Sequence, residues 1–183
     1  MGAMRILLFV SLLFALPAWA DEGLWNLLKK GGQVILIRHT ITDPGTGDPP
    51  GFRLEDCATQ RNLSDAGRAH ARRIGEAFRK RQIPVSRVLS SPWCRCVETA
   101  KLAFGKAEIA TPLSNLFGRP ENRERQVREM KRLIVKPRGN LVLVSHGSTI
   151  AALTDVYLGT GEMVIVTPGG KGAFAVRGRL LLE

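Results

Sequence analysis

The distribution of apolar and polar positions predicts a chain in which strands alternate with helices. Residues 34–37 and 141–144 are unbroken apolar runs, which are typical of strands covered on both faces. Further strands are predicted at residues 85–90, 108–110, 163–166 and 173–176, with an edge strand at residues 180–182. The pattern therefore indicates a sheet that contains fully buried strands.

Helices are predicted between these strands from amphipathic spacing and from capping residues. Ser64 and Asp65 begin a helix that extends to residue 82, with apolar residues on one side and arginines on the other. Ser91 and Pro92 provide an N-cap and a first-turn proline for a helix over residues 92–104. The remaining predictions are helices at residues 24–30, 121–134 and 147–158, and a loop rich in proline and glycine at residues 40–62.

Strands that alternate with helices indicate an α/β fold, a three-layer sandwich with a mostly parallel central sheet. In such sheets, ligands bind beyond the carboxyl ends of the strands. The residues that directly follow the buried strands are therefore the first candidates for a functional site.

The first 20 residues have the pattern of a secretory signal peptide. Arg5 is their only charged residue, an apolar run follows at residues 6–16, and residues 18–20 (AWA) match the A-x-A cleavage pattern. The apolar run is short for a membrane helix, which needs about 20 residues, so an uncleaved anchor is the weaker alternative. We expect a signal peptide at residues 1–20 and one domain at residues 21–183. The protein is then expected to be periplasmic or secreted, with no stable membrane span after cleavage.

The chain is strongly basic, with 27 lysines and arginines against 16 acidic residues and a formal net charge of +11. Such an excess suits anionic partners, although many exported proteins are simply basic. The arginine-rich faces of residues 68–81 and 119–132 have no interleaved aromatic residues for base stacking, so nucleic acid is not an expected partner. These faces, and His70 with them, are predicted to be exposed to solvent.

The chain has three cysteines, Cys57, Cys94 and Cys96. Export would permit a disulfide, and a bridge from Cys57 to either of the other two is favoured over a strained bridge between Cys94 and Cys96. The cysteines and histidines have no zinc-ligand spacing, so no metal cofactor is predicted.

Arginine and histidine side chains follow two of the predicted buried strands. Arg38 and His39 come directly after residues 34–37, and His146 comes shortly after residues 141–144. Arg95 lies in the first turn of the helix predicted at residues 92–104, where the helix N-terminus also favours an anion. Arginine presents a planar fork of donors to phosphate oxygens, and neutral histidine is a nucleophile near neutral pH. These residues together predict a cationic pocket for a phosphate group.

Four segments resemble motifs of the histidine phosphatase superfamily, which has the phosphoglycerate mutase-like fold. Residues 38–40 (RHT) are similar to its Arg-His-Gly signature, and residues 62–71 (NLSDAGRAHA) to its helix opening. Residues 89–100 (LSSPWCRCVETA) and 141–148 (LVLVSHGS) resemble its second arginine motif and its second histidine motif. The segments occur in the family's order, and the resemblance extends over residues 34–176.

The resemblance implies a phosphatase that uses no metal and no other cofactor. His39 would attack phosphorus and form a phosphohistidine, while Arg38, Arg95 and His146 would hold the phosphoryl oxygens. Thr40 replaces the family's usual glycine and adds a side chain beside the nucleophile, so it is included among the predicted substrate-binding residues.

The acid that would protonate the leaving group is not evident. Many family members have a glutamate in the segment after the third strand, where this chain has Asn115, and Glu98 is expected to orient Arg95 or to face solvent. Without an acid, phosphoramidates and phosphates with acidic leaving groups are the expected substrates. A loop acid could substitute, and the sequence does not choose among Asp43, Asp48, Glu55, Asp56 and Glu121.

The resulting hypothesis is an exported phosphatase that acts on a small phosphorylated substrate, with an envelope glycolipid phosphate as one candidate. A mutase is a weaker enzymatic alternative. The rival from another class is a non-catalytic anion-binding protein that keeps the pocket without turnover.

Overall fold

A six-stranded sheet lies between two layers of helices in the computed structural model, which describes residues 18–182. The strands are β1 Val34–Arg38, β2 Val85–Ser90, β3 Glu108–Ile109, β4 Asn140–Ser145, β5 Met163–Gly170 and β6 Ala173–Leu180. The helices are α1 Ala18–Lys29, α2 Asp65–Lys80, α3 Cys94–Phe104, α4 Arg123–Leu133 and α5 Gly147–Thr154. Residues 1–17 of the expected signal peptide lie outside the described residues.

The strand order is β3-β2-β4-β1-β5-β6. Strands β1 to β4 are mutually parallel where they pair, whereas β5 runs antiparallel to β1 and β6 runs antiparallel to β5. The predicted α/β sandwich with a mostly parallel central sheet is therefore confirmed, with an antiparallel hairpin at one edge.

Both faces of the central strands are buried, which explains their unbroken apolar runs. Ile35 and Ile37 of β1 belong to the core that α1, α2 and α3 cover. Val34 and Leu36 alternate with them and belong to the core that α4 and α5 cover.

The start of α2 is fixed by its cap and by a glycine. The Ser64 Oγ accepts a hydrogen bond from the Gly67 backbone N at 3.1 Å, as expected for an N-cap. A Cβ at Gly67 would lie 1.9 Å from the carbonyl O of Ile41, so only glycine permits this approach. The contact places the first residues after β1 against α2.

Several details of the predictions are wrong, and one is the end of α5 at Thr154 rather than at residue 158. Helix α3 begins at Cys94 rather than Pro92, and its N-cap is Trp93 rather than Ser91. The edge strand predicted at residues 180–182 is not separate, since Leu180 ends β6 and pairs with Met163. His70 is buried, with 5% of its surface exposed, because the segment before β5 packs on α2. A Cβ at Gly161 would lie 2.2 Å from the His70 Cε1.

In the part of the chain that the structure describes, no helix combines the length and the apolar character needed to cross a membrane.

Candidate active site

His39 and His146 meet at the carboxyl ends of two neighbouring parallel strands. β1 pairs with β4 so that Arg38 lies opposite Ser145, and each histidine is the next residue along its strand. The two imidazole ring centroids are 5.4 Å apart. Both side chains are buried, so the sheet register alone brings residues 107 positions apart into one site.

The His39 ring is fixed in one tautomer and stays neutral. Its Nδ1 lies 2.9 Å from the Thr40 carbonyl O, which can only accept, so Nδ1 carries the proton. Burial lowers the pKa of His39 to about 3, and the positive charges of Arg95, Arg38 and Arg61 add to this effect. The Nε2 atom is therefore an unprotonated nitrogen with its lone pair available for attack.

His146 is held by groups behind the site. The Ser91 Oγ lies 2.8 Å from the His146 Nε2, and it also accepts a hydrogen bond from the Trp93 backbone N. Burial lowers the pKa of His146 well below its usual value, and the neighbouring His39 contributes. When the Ser91 hydroxyl donates to the Nε2, the proton of neutral His146 is on Nδ1, where it can donate to an oxyanion.

Cys96 lies 3.5 Å from the same His146 nitrogen. Burial raises the pKa of the Cys96 thiol to about 12, so it remains protonated. It packs behind His146 as a small apolar group and is not a nucleophile under ordinary conditions.

Three arginines, Arg38, Arg61 and Arg95, line the same cavity as the two histidines. The cavity has a volume of about 470 Å³, within the ordinary range for small-ligand sites. Burial lowers the pKa of Arg38 and of Arg61, and the proximity of the other guanidinium groups lowers both further. Like charges are thus concentrated at one place, which favours a bound anion.

The Nε atoms of these three arginines are buried and have no hydrogen-bond partner among the described residues. A buried guanidinium N–H without a partner is costly, and native proteins rarely leave such donors unsatisfied. A bound oxyanion would provide acceptors for them.

Arg95 is also held by a carboxylate from the long loop between β1 and α2. The Arg95 Nη1 lies 2.6 Å from the Asp48 Oδ1, and its Nη2 lies 3.2 Å from the Oδ2. Asp48 further accepts hydrogen bonds from the Trp93 Nε1 at 2.9 Å and from the Arg61 backbone N at 3.1 Å. Burial alone would raise the pKa of Asp48, but the bonds and charge of Arg95 hold it below its usual value. Asp48 is therefore an ionised partner of Arg95 and cannot act as an acid near neutral pH.

The same loop is linked covalently to α3. Cys57 and Cys94 form a disulfide, which confirms the predicted pairing of Cys57 with one of the other two cysteines. The bridge fixes the end of the loop beside Arg95, and Cys96 keeps its thiol.

Of the predicted site residues, four meet at the cavity: Arg38, His39, Arg95 and His146. Thr40 does not line it. Its side chain is fully buried, and its Oγ1 lies 3.3 Å from the Thr99 Oγ1. The inclusion of Thr40 among the substrate-binding residues is therefore corrected, because the chain turns inward there and only its carbonyl supports His39.

Sequence reasoning missed Arg61. It included Asp48 only among the candidate proton donors, whereas Asp48 is the ion-pair partner of Arg95. Arg61 directly precedes the helix-opening motif, and this position was the signal that could have drawn attention to it. The ion pair of Asp48 with Arg95 spans 47 residues and carries no sequence signal, since it depends on how the loop folds back.

No carboxylic acid lines the cavity among the residues that the structure describes. Asn115 does line it, and its Oδ1 accepts hydrogen bonds from the Phe117 backbone N and the Ser148 hydroxyl. Glu98 does not orient Arg95, because it pairs with Arg68 at 2.7 Å. The other candidate acids are also outside the cavity lining, namely Asp43, Asp48, Glu55, Asp56 and Glu121.

Within the described residues, no group of three or more histidine, cysteine or acidic side chains is placed to hold a metal ion.

Comparison with known proteins agrees with this geometry. A family model described as the histidine phosphatase superfamily (branch 1) matches residues 34–115. A search among curated proteins gave no match. Residues 34–115 are therefore similar to this superfamily.

Solved structures with the same fold cover most of the chain. The protein histidine phosphatase SixA complexed with tungstate has a TM-score of 0.54 and 17% identity, over 81% of this chain and 96% of that chain. A putative phosphohistidine phosphatase SixA from Agrobacterium tumefaciens has a TM-score of 0.55 and 20% identity, over 82% and 99%. A mycobacterial glucosyl-3-phosphoglycerate phosphatase, solved with VO3, has a TM-score of 0.57 and 19% identity, over 79% and 96%. At these identities the likeness establishes the fold.

Proposed function

We propose that this protein is a phosphatase that hydrolyses phosphate monoesters or phosphoramidates through a phosphohistidine on His39. The observation that carries the proposal is the Nε2 of His39, neutral and unprotonated, beside three arginines whose buried Nε donors have no partner. This combination suits attack on a phosphoryl group whose oxygens the arginines hold.

The reaction takes place in two displacements. The lone pair of the His39 Nε2 forms a bond to phosphorus while the bond to the leaving group breaks, and the leaving group departs with the electron pair. A water molecule then attacks the phosphohistidine, the P–N bond breaks, His39 recovers its lone pair, and one proton of the water passes through solvent to the departed leaving group. The guanidinium groups and the Nδ1–H of His146 stabilise the charge on the phosphoryl oxygens in both steps.

No metal ion has a part in the proposed reaction, since Arg38, Arg61 and Arg95 supply the positive charge that a metal would otherwise provide. The proposal is thus of a metal-independent hydrolase.

The leaving group is the main limit on substrate choice. Asn115 cannot donate a proton as an acid, and the ionised Asp48 is engaged with Arg95. Leaving groups that are themselves acidic, and phosphoramidates that protonate before cleavage, need less help than alkyl alcohols. One structural neighbour is a protein histidine phosphatase and another is a glucosyl-3-phosphoglycerate phosphatase. Their names correspond to the two proposed substrate types, a phosphoramidate and a phosphate monoester.

Export is part of the proposal. The sequence pattern of residues 1–20 and the Cys57–Cys94 disulfide suit an oxidising compartment outside the cytoplasm. A small phosphorylated metabolite or an envelope glycolipid phosphate would be the substrate there. N-terminal sequencing of the protein purified from the host's periplasm or medium should begin at Asp21, and an intact Met1 or Met4 would contradict export by cleavage.

The absence of an acid from the described cavity lining also favours the rival, a phosphate-binding protein without turnover. Both candidates predict phosphate binding, and only the enzyme predicts a covalent intermediate.

Quenching with detergent at alkaline pH, where a phosphohistidine is stable, during turnover of a phosphorus-labelled aryl phosphate or phosphoramidate separates the two. We expect label on His39, phosphate release that a chelator does not reduce, and loss of both in His39→Ala. His70→Gln is the matched control. Because His70 does not line the cavity, this variant should still show the label on His39. Phosphate binding without any trapped label would establish the binding protein instead.

A further inference from the structure

A second cavity of about 270 Å³ adjoins the active-site cavity. We call it the side cavity and define it by Phe117, Arg119, Arg123 and Ser148. Phe117 and Ser148 line both cavities, so the two form one continuous surface depression. A substrate whose phosphate lies among the three arginines could extend past these two residues.

The side cavity is positively charged. Its lining contains Arg119 and Arg123 and, among the described residues, no acidic side chain. Both arginines are exposed, and neither forms an ion pair with another residue that the structure describes. Two guanidinium groups without a counter-charge on one wall attract an anion.

Arg119 is positioned by the active site itself. Its guanidinium carbon lies 5.5 Å from the ring centroid of Trp93, in the range of a cation–π contact. Trp93 in turn donates to Asp48 and packs 5.3 Å from the His146 ring. The charge of Arg119 is therefore held beside the reacting groups.

Phe117 separates the two groups of arginines. It is 60% exposed although it is a large apolar residue, and it offers an apolar surface over which carbon atoms can lie. Its position between the cavities fits a substrate with a phosphate at one end, a carbon framework in the middle and an anion at the other end.

We propose that the side cavity binds a second anionic group, a carboxylate or a phosphate, carried by the leaving group of the substrate. The inference rests on the proposed phosphatase function and narrows its substrate class to phosphates with a doubly anionic character. Arg119 and Arg123 are the residues that would select it.

Three aryl phosphates that differ in one substituent test the proposal. The para substituent is a methyl ester (neutral), a carboxylate or a phosphonate, and the phosphonate itself is not hydrolysed. We expect Arg119→Ala with Arg123→Ala to lower kcat/KM for the two anionic substrates relative to the methyl ester by about three- to tenfold, since each exposed ion pair contributes modestly. The quantity compared between variants is the kcat/KM of each anionic substrate divided by that of the methyl ester. The intrinsic reactivity of each leaving group cancels in this comparison.

Arg132→Ala is the matched control. It removes the same charge from an exposed position in the last turn of α4, away from the side cavity, and should leave the ratio unchanged. The anionic preference should also decrease as salt is added, because salt screens exposed charges. A ratio unchanged in the double variant, or lowered equally in Arg132→Ala, would overturn the inference.

Calorimetric titration of His39→Ala with the same compounds separates failure of the inference from failure of the proposed function. If no compound is hydrolysed but the anionic compounds bind more tightly in a way that depends on Arg119 and Arg123, the proposed anion site is supported and the proposed phosphatase function is overturned. If all compounds are hydrolysed and neither binding nor hydrolysis depends on Arg119 and Arg123, the phosphatase function is supported and the proposed anion site is overturned. If neither hydrolysis nor selective binding occurs, both are overturned.

Discussion

Asp48 reduces the number of Arg95 donors that are available to an anion. From its position on α3, Arg95 has both nitrogens of its fork available to a phosphate. In the structure, Asp48 occupies the Nη1 and Nη2 atoms, and only the Nε is without a partner. Asp48 therefore offsets part of the positive charge and competes with the expected anion for Arg95.

Replacing Asp48 with asparagine should tighten the binding of inorganic phosphate. The change removes the negative charge closest to Arg95 and leaves three guanidinium groups for the anion. In phosphate-free buffer, the folded protein should become less stable, because breaking a buried ion pair from one side costs about 3–5 kcal/mol and asparagine restores only part of that. Thermal unfolding and calorimetry with and without phosphate measure both effects.

Asp43→Asn is the control for that experiment, because Asp43 is an exposed acid of the same loop. Added phosphate should raise the melting temperature more in Asp48→Asn than in Asp43→Asn. Weaker phosphate binding in Asp48→Asn would mean that Asp48 orients Arg95 for the anion and does not compete with it.

The loop between β1 and α2 is the element that completes the site. It contributes Asp48 and Arg61, and the Thr42 bridge to Leu63 and the packing of Phe52 on Trp93 hold it to the body of the protein. The Cys57–Cys94 disulfide adds a covalent link to α3.

Removing the disulfide should weaken both the fold and the site. A bridge between residues 37 positions apart should contribute about 3–4 kcal/mol to the free energy of unfolding by the loop-closure relation. We expect the Cys57→Ala, Cys94→Ala double variant to lose that amount and to bind phosphate less tightly, because Arg61, which lines the cavity, is then held less firmly. Urea unfolding and phosphate titration provide the two measurements.

Reductant provides the matched control for the disulfide. Reductant should lower the free energy of unfolding and the phosphate affinity of the wild-type protein and of Cys96→Ala, which both keep the bridge. It should change neither quantity in the double variant. Phosphate affinity that is unchanged after reduction would show that the loop keeps its position without the disulfide.

For the molecule as a whole, burying neutral histidines links folding to pH. His39 and His146 both have pKa values below the usual value of a histidine, mainly because they are buried. In the unfolded chain each takes up a proton near pH 6.5, and in the folded protein each remains neutral. The unfolded state then binds more protons, so stability must decrease as pH falls below 6.5.

The expected loss between pH 7.5 and 5.5 is about 1.4 kcal/mol for each buried neutral histidine. For His39 the loss continues until about pH 3, where the folded state also takes up a proton. Urea unfolding at the two pH values in phosphate-free buffer measures it, and His39→Gln should reduce the pH dependence by about 1.4 kcal/mol. Equal pH dependence in both proteins would contradict a neutral, buried His39.

The order of the elements and the residues at the strand ends could be predicted from the amino-acid sequence. Unbroken apolar runs at β1 and β4 show strands buried on both faces, and strands of a parallel sheet all present their carboxyl ends at one edge. The sequence pattern therefore groups four residues at this edge, since each follows a strand or lies at the start of a helix: Arg38, His39, Arg95 and His146.

Contacts between segments that are distant along the chain could not be predicted from the sequence and are evident in the folded protein. The ion pair of Asp48 with Arg95, the place of Arg61 in the cavity and the inward turn of Thr40 all depend on how the long loop packs. His70 is buried by a segment that is far from it in sequence. Periodicity reports which face of an element is apolar, whereas loop packing and side-chain pairing carry no periodic signal. The charge pattern of the site was for that reason settled by the fold.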